Sequence, residues 1–121
     1  MDQCIEALSS AYLDFSFGVA VTRRRSDTLV PSGESVYGLK TMDGIAPGLG
    51  VGAVRINSDI VTWPQVGDSF RRVKVPAAPG SRYTGLILLF STETGEPLAI
   101  MPDGVIQRIR VGATSALGTH Y

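Results

Sequence analysis

The segment from Gly85 to Met101 places the tightest limit on how this chain can fold. Leu86-Ile87-Leu88-Leu89-Phe90 is its longest apolar run. That is far short of the roughly 20 residues a membrane helix needs, and it suits a buried strand. Thr92-Glu93-Thr94-Gly95-Glu96 reads as a hairpin connection with Gly95 in the left-handed position, and Leu98-Ala99-Ile100-Met101 returns antiparallel. The chain must therefore build an antiparallel sheet around this hairpin.

The rest of the sequence supplies further strands and two helices. Ile5, Leu8, Tyr12 and Phe15 recur at three- and four-residue steps and predict an opening helix, with Asp2 as its cap, Glu6 in its first turn and Gly18 closing it. Val19 to Thr22 predicts a strand running into Arg23-Arg24-Arg25. Asp27 to Glu34, with Pro31, Ser32 and Gly33, reads as a loop. Val36 to Met42 is the next strand, followed by turn signals at Asp43-Gly44 and Pro47-Gly48. Val51 to Ile56 alternates as a strand does, Asn57 to Phe70 reads as irregular, and Arg71 to Val75 alternates again. Pro76 to Gly80 breaks it, and Tyr83 to Ser91 is an interior strand. Ile106, Ile109, Ala113, Ala116 and Leu117 then form the stripe of a last helix, from about Val105 to Tyr121. The fold class is α+β: a mainly antiparallel sheet flanked by an N-terminal and a C-terminal helix, in one domain over residues 1–121. Fourteen glycines and seven prolines fit that turn-rich β reading better than a helical bundle.

Composition narrows the function. Eleven basic residues balance eleven acidic ones, which argues against nucleic acid or an anionic membrane as partner. A single cysteine, Cys4, allows no internal disulfide and no cysteine-based zinc cluster, and it reads as a packing residue. No basic segment followed by an apolar run opens the chain, so the expectation is a cytoplasmic protein.

Arginine supplies nine of the eleven cations, lysine only Lys40 and Lys74. A guanidinium grips a carboxylate or phosphate with a planar fork, so this bias raises the prospect of anion recognition. Arg71, Arg72 and Arg82 read as solvated surface, and Arg23-Arg24-Arg25 is too short for a nucleic-acid patch. Arg110 lies among the small residues Gly112, Ala113, Thr114, Ser115 and Ala116, in what reads as the first turns of the last helix. An anion could approach there, or the small face could simply pack on the sheet. His120 has no triad partner. No nucleophile elbow is present, and Gly48-Leu49-Gly50-Val51-Gly52 leads into a strand, the wrong context for a dinucleotide phosphate.

Several elements nonetheless fall in a familiar order. Gly85 and the strand to Phe90, Thr94-Gly95-Glu96-Pro97-Leu98-Ala99-Ile100, Asp103-Gly104, and Arg110-Val111-Gly112-Ala113-Thr114-Ser115-Ala116 resemble the ornithine cyclodeaminase/mu-crystallin family. That family's pattern is an aliphatic strand, a Gly-x-Pro-Leu-Ala return, Asp-Gly and an Arg-Thr-Ala-Ala-x-Ser-Ala helix. Cys4 to Tyr12 is similar to its early helix. The resemblance implies NAD or NADP in the full-length enzyme, and an amino-acid, imine or keto-acid substrate. Cyclodeaminases, alanine dehydrogenases and ketimine reductases belong to the family. It also implies a homodimer, and a substrate-binding and dimerisation portion cut before the NAD(P)-binding domain. The chain alone is then expected to bind no cofactor and to be inactive.

The resemblance further implies three basic residues around the substrate carboxylate. The last matches Arg110. The first best matches Arg25, ahead of Ser26, with Arg23 the weaker match. The middle one, normally lysine, falls at Arg55 if Met42-Asp43-Gly44 replaces the family's Met-Pro-Ala, and at Lys40 in a rival alignment; Arg55 is preferred. Arginine for lysine changes reach and geometry and points to a different substrate. Val111 replaces the threonine that follows the family arginine, and Ser58 to Arg82 is longer than in typical members. The alternative is a non-catalytic dimeric binding or assembly domain.

Overall fold

The computed structural model of the chain describes residues 2–75 and 84–119. Helix α1 spans Asp2–Ser16 and helix α2 spans Asp103–Gly118. Between them run β1 (Val21–Thr22), β2 (Ser26–Ser32), β3 (Ser35–Ala46), β4 (Val51–Thr62), β5 (Gln65–Val66), β6 (Ser69–Phe70), β7 (Val73–Val75), β8 (Thr84–Ser91) and β9 (Pro97–Pro102). Every strand pairing among the described residues is antiparallel. The α+β class with a helix at each end is as expected, and the described residues contain no Rossmann unit. None of their helices is long and apolar enough to cross a membrane.

The sheet is built around β4. It pairs with β3 from Val51↔Ala46 to Val61↔Val36, and its other side holds β8 and β7. The main order is β1-β3-β4-β8-β9, so the apolar run in β8 is interior, as its composition predicts. Gly18 and Gly95 take positive φ, 72° and 76°, closing α1 and the β8–β9 hairpin as the sequence suggests.

Five expectations are corrected. Asp27 to Glu34 is mostly strand: β2 pairs with β3 along its whole length and turns at Gly33-Glu34. Its seven residues are all exposed, and as an edge strand it tolerates Pro31, so its composition imitates a loop. Asp43-Gly44 is no turn but lies inside β3. A side chain at Gly44 would meet the Val21 carbonyl oxygen at 3.2 Å, so this glycine lets β1 come close. Residues 57–62, read as irregular, continue β4, and β5 and β6 form a small separate hairpin. Arg71 and Arg72 precede the strand expected to hold them, and α2 starts at Asp103 instead of Val105. Arg82, Tyr83, Pro76 to Gly80, His120 and Tyr121 lie outside the described residues.

Register divides the sheet into two unlike faces, because side chains alternate along each strand. One face carries Lys40, Met42, Arg55, Asn57, Asp59, Val61, Gly85 and Ile87. Helix α2 leaves β9 directly and sets Asp103 over Gly85 on this face, and α1 packs against α2. Val61 and Ala113 are the fully buried apolar side chains among the described residues. The opposite face is open. Val21, Val30, Leu39, Ile45, Leu86 and Ile100 all lie on it, each more than a third exposed.

Gly85 is the floor of the helix–sheet contact. A Cβ there would lie 2.5 Å from Asn57 Nδ2 and 2.9 Å from Asp103 Oδ2. Gly85→Ala should therefore destabilise the chain by roughly 1–3 kcal/mol, as overpacking does. Urea unfolding measures this, and an unchanged midpoint would refute the tight contact.

Candidate functional site

The β3–β4 register places Lys40 opposite Asn57, and Arg55 opposite Met42. On the other side of β4, Arg55 faces Ile87 and Asn57 faces Gly85. Lys40 and Arg55, rivals for one role in the sequence, thus stand on the same face of adjacent strands.

Arg55 reaches α2. Its Nη2 donates to Asp103 Oδ2 and to Gln107 Oε1, both at 2.7 Å. Asn57 Nδ2 donates to the same Asp103 oxygen at 3.0 Å. Asp103 is buried, and burial pushes its carboxyl up. The hydrogen bonds from Arg55 and Asn57, with the charges of Arg55 and Arg110, outweigh that and hold it below the usual carboxylate range. The acidic first residue also suits the positive end of the helix dipole. Arg55 Nε is buried without a hydrogen-bond partner among the described residues, and Nη1 lies 3.7 Å from the Met42 sulfur.

A second cluster lies on the same face. Lys40 Nζ donates to Asp59 Oδ2 at 2.6 Å, and Lys74 Nζ lies 2.9 Å from that oxygen. Lys40 and Asp59 are only 4% and 3% exposed, so neither charge is shared with solvent. Burial again raises the Asp59 carboxyl, and the two lysines more than reverse it.

The remaining candidates are more open. Arg25 grips Asp27 through Nε (2.7 Å) and Nη2 (2.9 Å), and Asp27 stands opposite Lys40. Arg23 holds Asp43 in the same way, with its Nη2 2.7 Å from Oδ1. Arg110 is the eighth residue of α2, not part of its first turn, so the free N–H groups of the helix start belong to Asp103 and its neighbours. Its guanidinium is exposed and makes no hydrogen bond or ion pair among the described residues, while its charge acts on Asp103.

The structure thus sets Lys40 and Arg55 on one face of adjacent strands, leaves Arg25 just ahead of β2 and Arg110 on α2, and ties Arg25, Lys40 and Arg55 each to a carboxylate. The sequence reading missed those carboxylates and Gln107. Reading β4 through to Thr62 would have shown Arg55, Asn57 and Asp59 at two-residue steps on one face.

The fold defined here is an antiparallel sheet with a polar, cation-rich face under a C-terminal helix. It is shared with known enzymes. A probable ornithine cyclodeaminase from Bordetella pertussis Tohama I is 28% identical, with a TM-score of 0.69 over 95% of this chain and 30% of that one. An archaeal alanine dehydrogenase, a dimer with bound NAD, has the same fold at 20% identity, with a TM-score of 0.64 over 93% of this chain and 30% of that one. The resemblance to the ornithine cyclodeaminase family is borne out, and the chain spans about 30% of the length of each of these proteins. No protein-family model and no curated protein matches the sequence.

Asp59→Asn would leave Lys40 buried opposite a neutral group, and should cost about 3–5 kcal/mol in urea unfolding. The Asp59 carboxyl is held low in the folded state, so its contribution is fully present above the ordinary carboxylate pKa of about 4 and is lost as pH falls through the folded value. Stability should fall as pH drops below about 4, less steeply in the variant. Equal slopes would contradict this assignment.

Proposed function

We propose that this chain is the substrate-binding and dimerising part of an NAD(P)-dependent, ornithine cyclodeaminase-like enzyme. It would act on amino acids, imines or keto acids and hold the substrate carboxylate with its cations. The observation that supports the reading is the placing of Lys40 and Arg55 on one sheet face, with Arg55 bonded to α2 and Arg25 tied through Asp27 to the edge of that face, in a fold shared with a probable ornithine cyclodeaminase and an alanine dehydrogenase.

The candidates differ in what they can give a ligand. Lys40 is buried and bound to Asp59, so it sets the charge of the face and is poorly placed to leave it. Arg55 keeps Nη1, whose neighbour is the weakly accepting Met42 sulfur, beside its bonds to α2. Arg110 is unpaired among the described residues and Arg25 is half exposed, so both can turn to a carboxylate. Arg55 and Arg110 are therefore the centre of the clamp, Arg25 a third arm, and Lys40 an electrostatic support. Fixing the carboxylate orients the adjacent carbon, which lowers the entropic part of the barrier.

The described residues do not themselves suit a dinucleotide. Gly48 and Gly50 lead into β4, Gly52 lies within it, and no glycine loop among the described residues runs from a strand into a helix start. The nucleotide, NAD or NADP, would be held elsewhere in the enzyme. The setting proposed is cytoplasmic.

The open sheet face supports the dimer. Burying its half-exposed Val, Leu and Ile side chains against a second copy would contribute roughly 1 kcal/mol apiece. The same face supports a second reading, a non-catalytic dimeric assembly domain.

In the NAD(P)-linked enzyme, Arg110→Ala should lower kcat/KM by on the order of 10²-fold. Turnover near wild type would remove Arg110 from the clamp. Light scattering on the chain should give the mass of a dimer, and a clean monomer would count against both readings.

A further inference from the structure

A guanidinium has five N–H donors, and the surroundings of Arg55 account for most of them. Both Nη2 hydrogens are taken, one by Asp103 and one by Gln107. Nε is buried away from solvent, with no partner among the described residues. Only Nη1 is left, and its neighbour is the Met42 sulfur at 3.7 Å, a weak acceptor. Asp103 itself cannot drift. It is 2% exposed, is the first residue of α2, is bonded by Asn57, and lies against Gly85, where any side chain would displace it.

We propose that Asp103, assisted by Gln107, is a positioning residue that locks the Arg55 guanidinium so that it meets a substrate carboxylate through one nitrogen, Nη1. The inference rests on the carboxylate reading above and deepens it. An unrestrained arginine would present a two-nitrogen fork to a carboxylate. Here the fork is closed on one side by α2, and Arg55 acts as a single-point donor, as a lysine would. This arrangement assigns two-nitrogen binding of the carboxylate to Arg110, whose guanidinium is not held in this way.

Nitrogen-15 NMR of the arginine side chains in the 121-residue chain tests this, with pyruvate as the carboxylate probe and pyruvamide as its uncharged control. Without ligand, Arg55 should show separate Nη1 and Nη2 signals, because fixed acceptors slow rotation of the group. Asp103→Asn should merge them. Gln107→Met, on the half-exposed side of α2 and safe for folding, should bring them closer together. Pyruvate should shift Nη1 and leave Nη2 and Nε in place, pyruvamide should shift none, and each variant should weaken pyruvate binding severalfold. Averaged Arg55 signals in the wild type, or signals unchanged in both variants, would overturn the positioning role. Movement of Nη2 together with Nη1 would overturn the one-nitrogen contact. Separate signals that pyruvate never moves would instead overturn the carboxylate reading of Arg55, and with it the ligand half of this proposal.

Discussion

The bridge from Arg55 to Asp103 joins the middle of the sheet to the first residue of α2. Because β9 runs into α2 with no intervening loop, whatever fixes Asp103 fixes where the helix leaves the sheet. Apolar packing contributes little to this: among the described residues only Val61 and Ala113 are fully buried apolar side chains. Ion pairs out of solvent are costly to form and more costly to break, since losing one partner strands the other charge at about 3–5 kcal/mol. A polar contact of this kind therefore acts as a registry device. It selects one placement of α2, the one in which Gly85 lies beneath Asp103 and Asn57 beside it.

That choice divides the sheet. The face under α2 is polar, and its charges pair in a sequence of carboxylate and cation: Asp27 with Arg25, Asp59 with Lys40 and Lys74, Asp103 with Arg55. Four cations meet three carboxylates, and Arg110 adds a fifth from α2. The surplus positive charge makes the face suited to an anion. The other face is open, with exposed Val, Leu and Ile side chains beside Thr28, Thr41 and Asp43. In the proposed reading, ligand and partner would address opposite sides of one sheet, and the zero net charge of the whole molecule conceals the imbalance.

Much of this was legible in the sequence. The hairpin from Gly85 to Met101, the two helical stripes and the left-handed glycines at 18 and 95 all follow from local periodicity and turn chemistry, and they hold. The errors fall where tertiary context overrides local signals. The Pro31 segment reads as loop because an edge strand needs no apolar face. Asp43-Gly44 reads as a turn because the sequence does not show that another strand needs the room. The site was partly visible for the same reason. Cations stand out by type and by family pattern, whereas their carboxylate partners, 19 residues apart for Lys40 and Asp59 and 48 for Arg55 and Asp103, meet only through strand register and helix placement.

The central claim is that the sheet face beneath α2 receives a carboxylate. A crystal structure of the chain grown with pyruvate tests it most directly. The account predicts a carboxylate within hydrogen-bond distance of Arg55 Nη1 and of the Arg110 guanidinium, with the Arg55–Asp103 bond intact. A carboxylate bound elsewhere, with Arg110 turned to solvent, would contradict it.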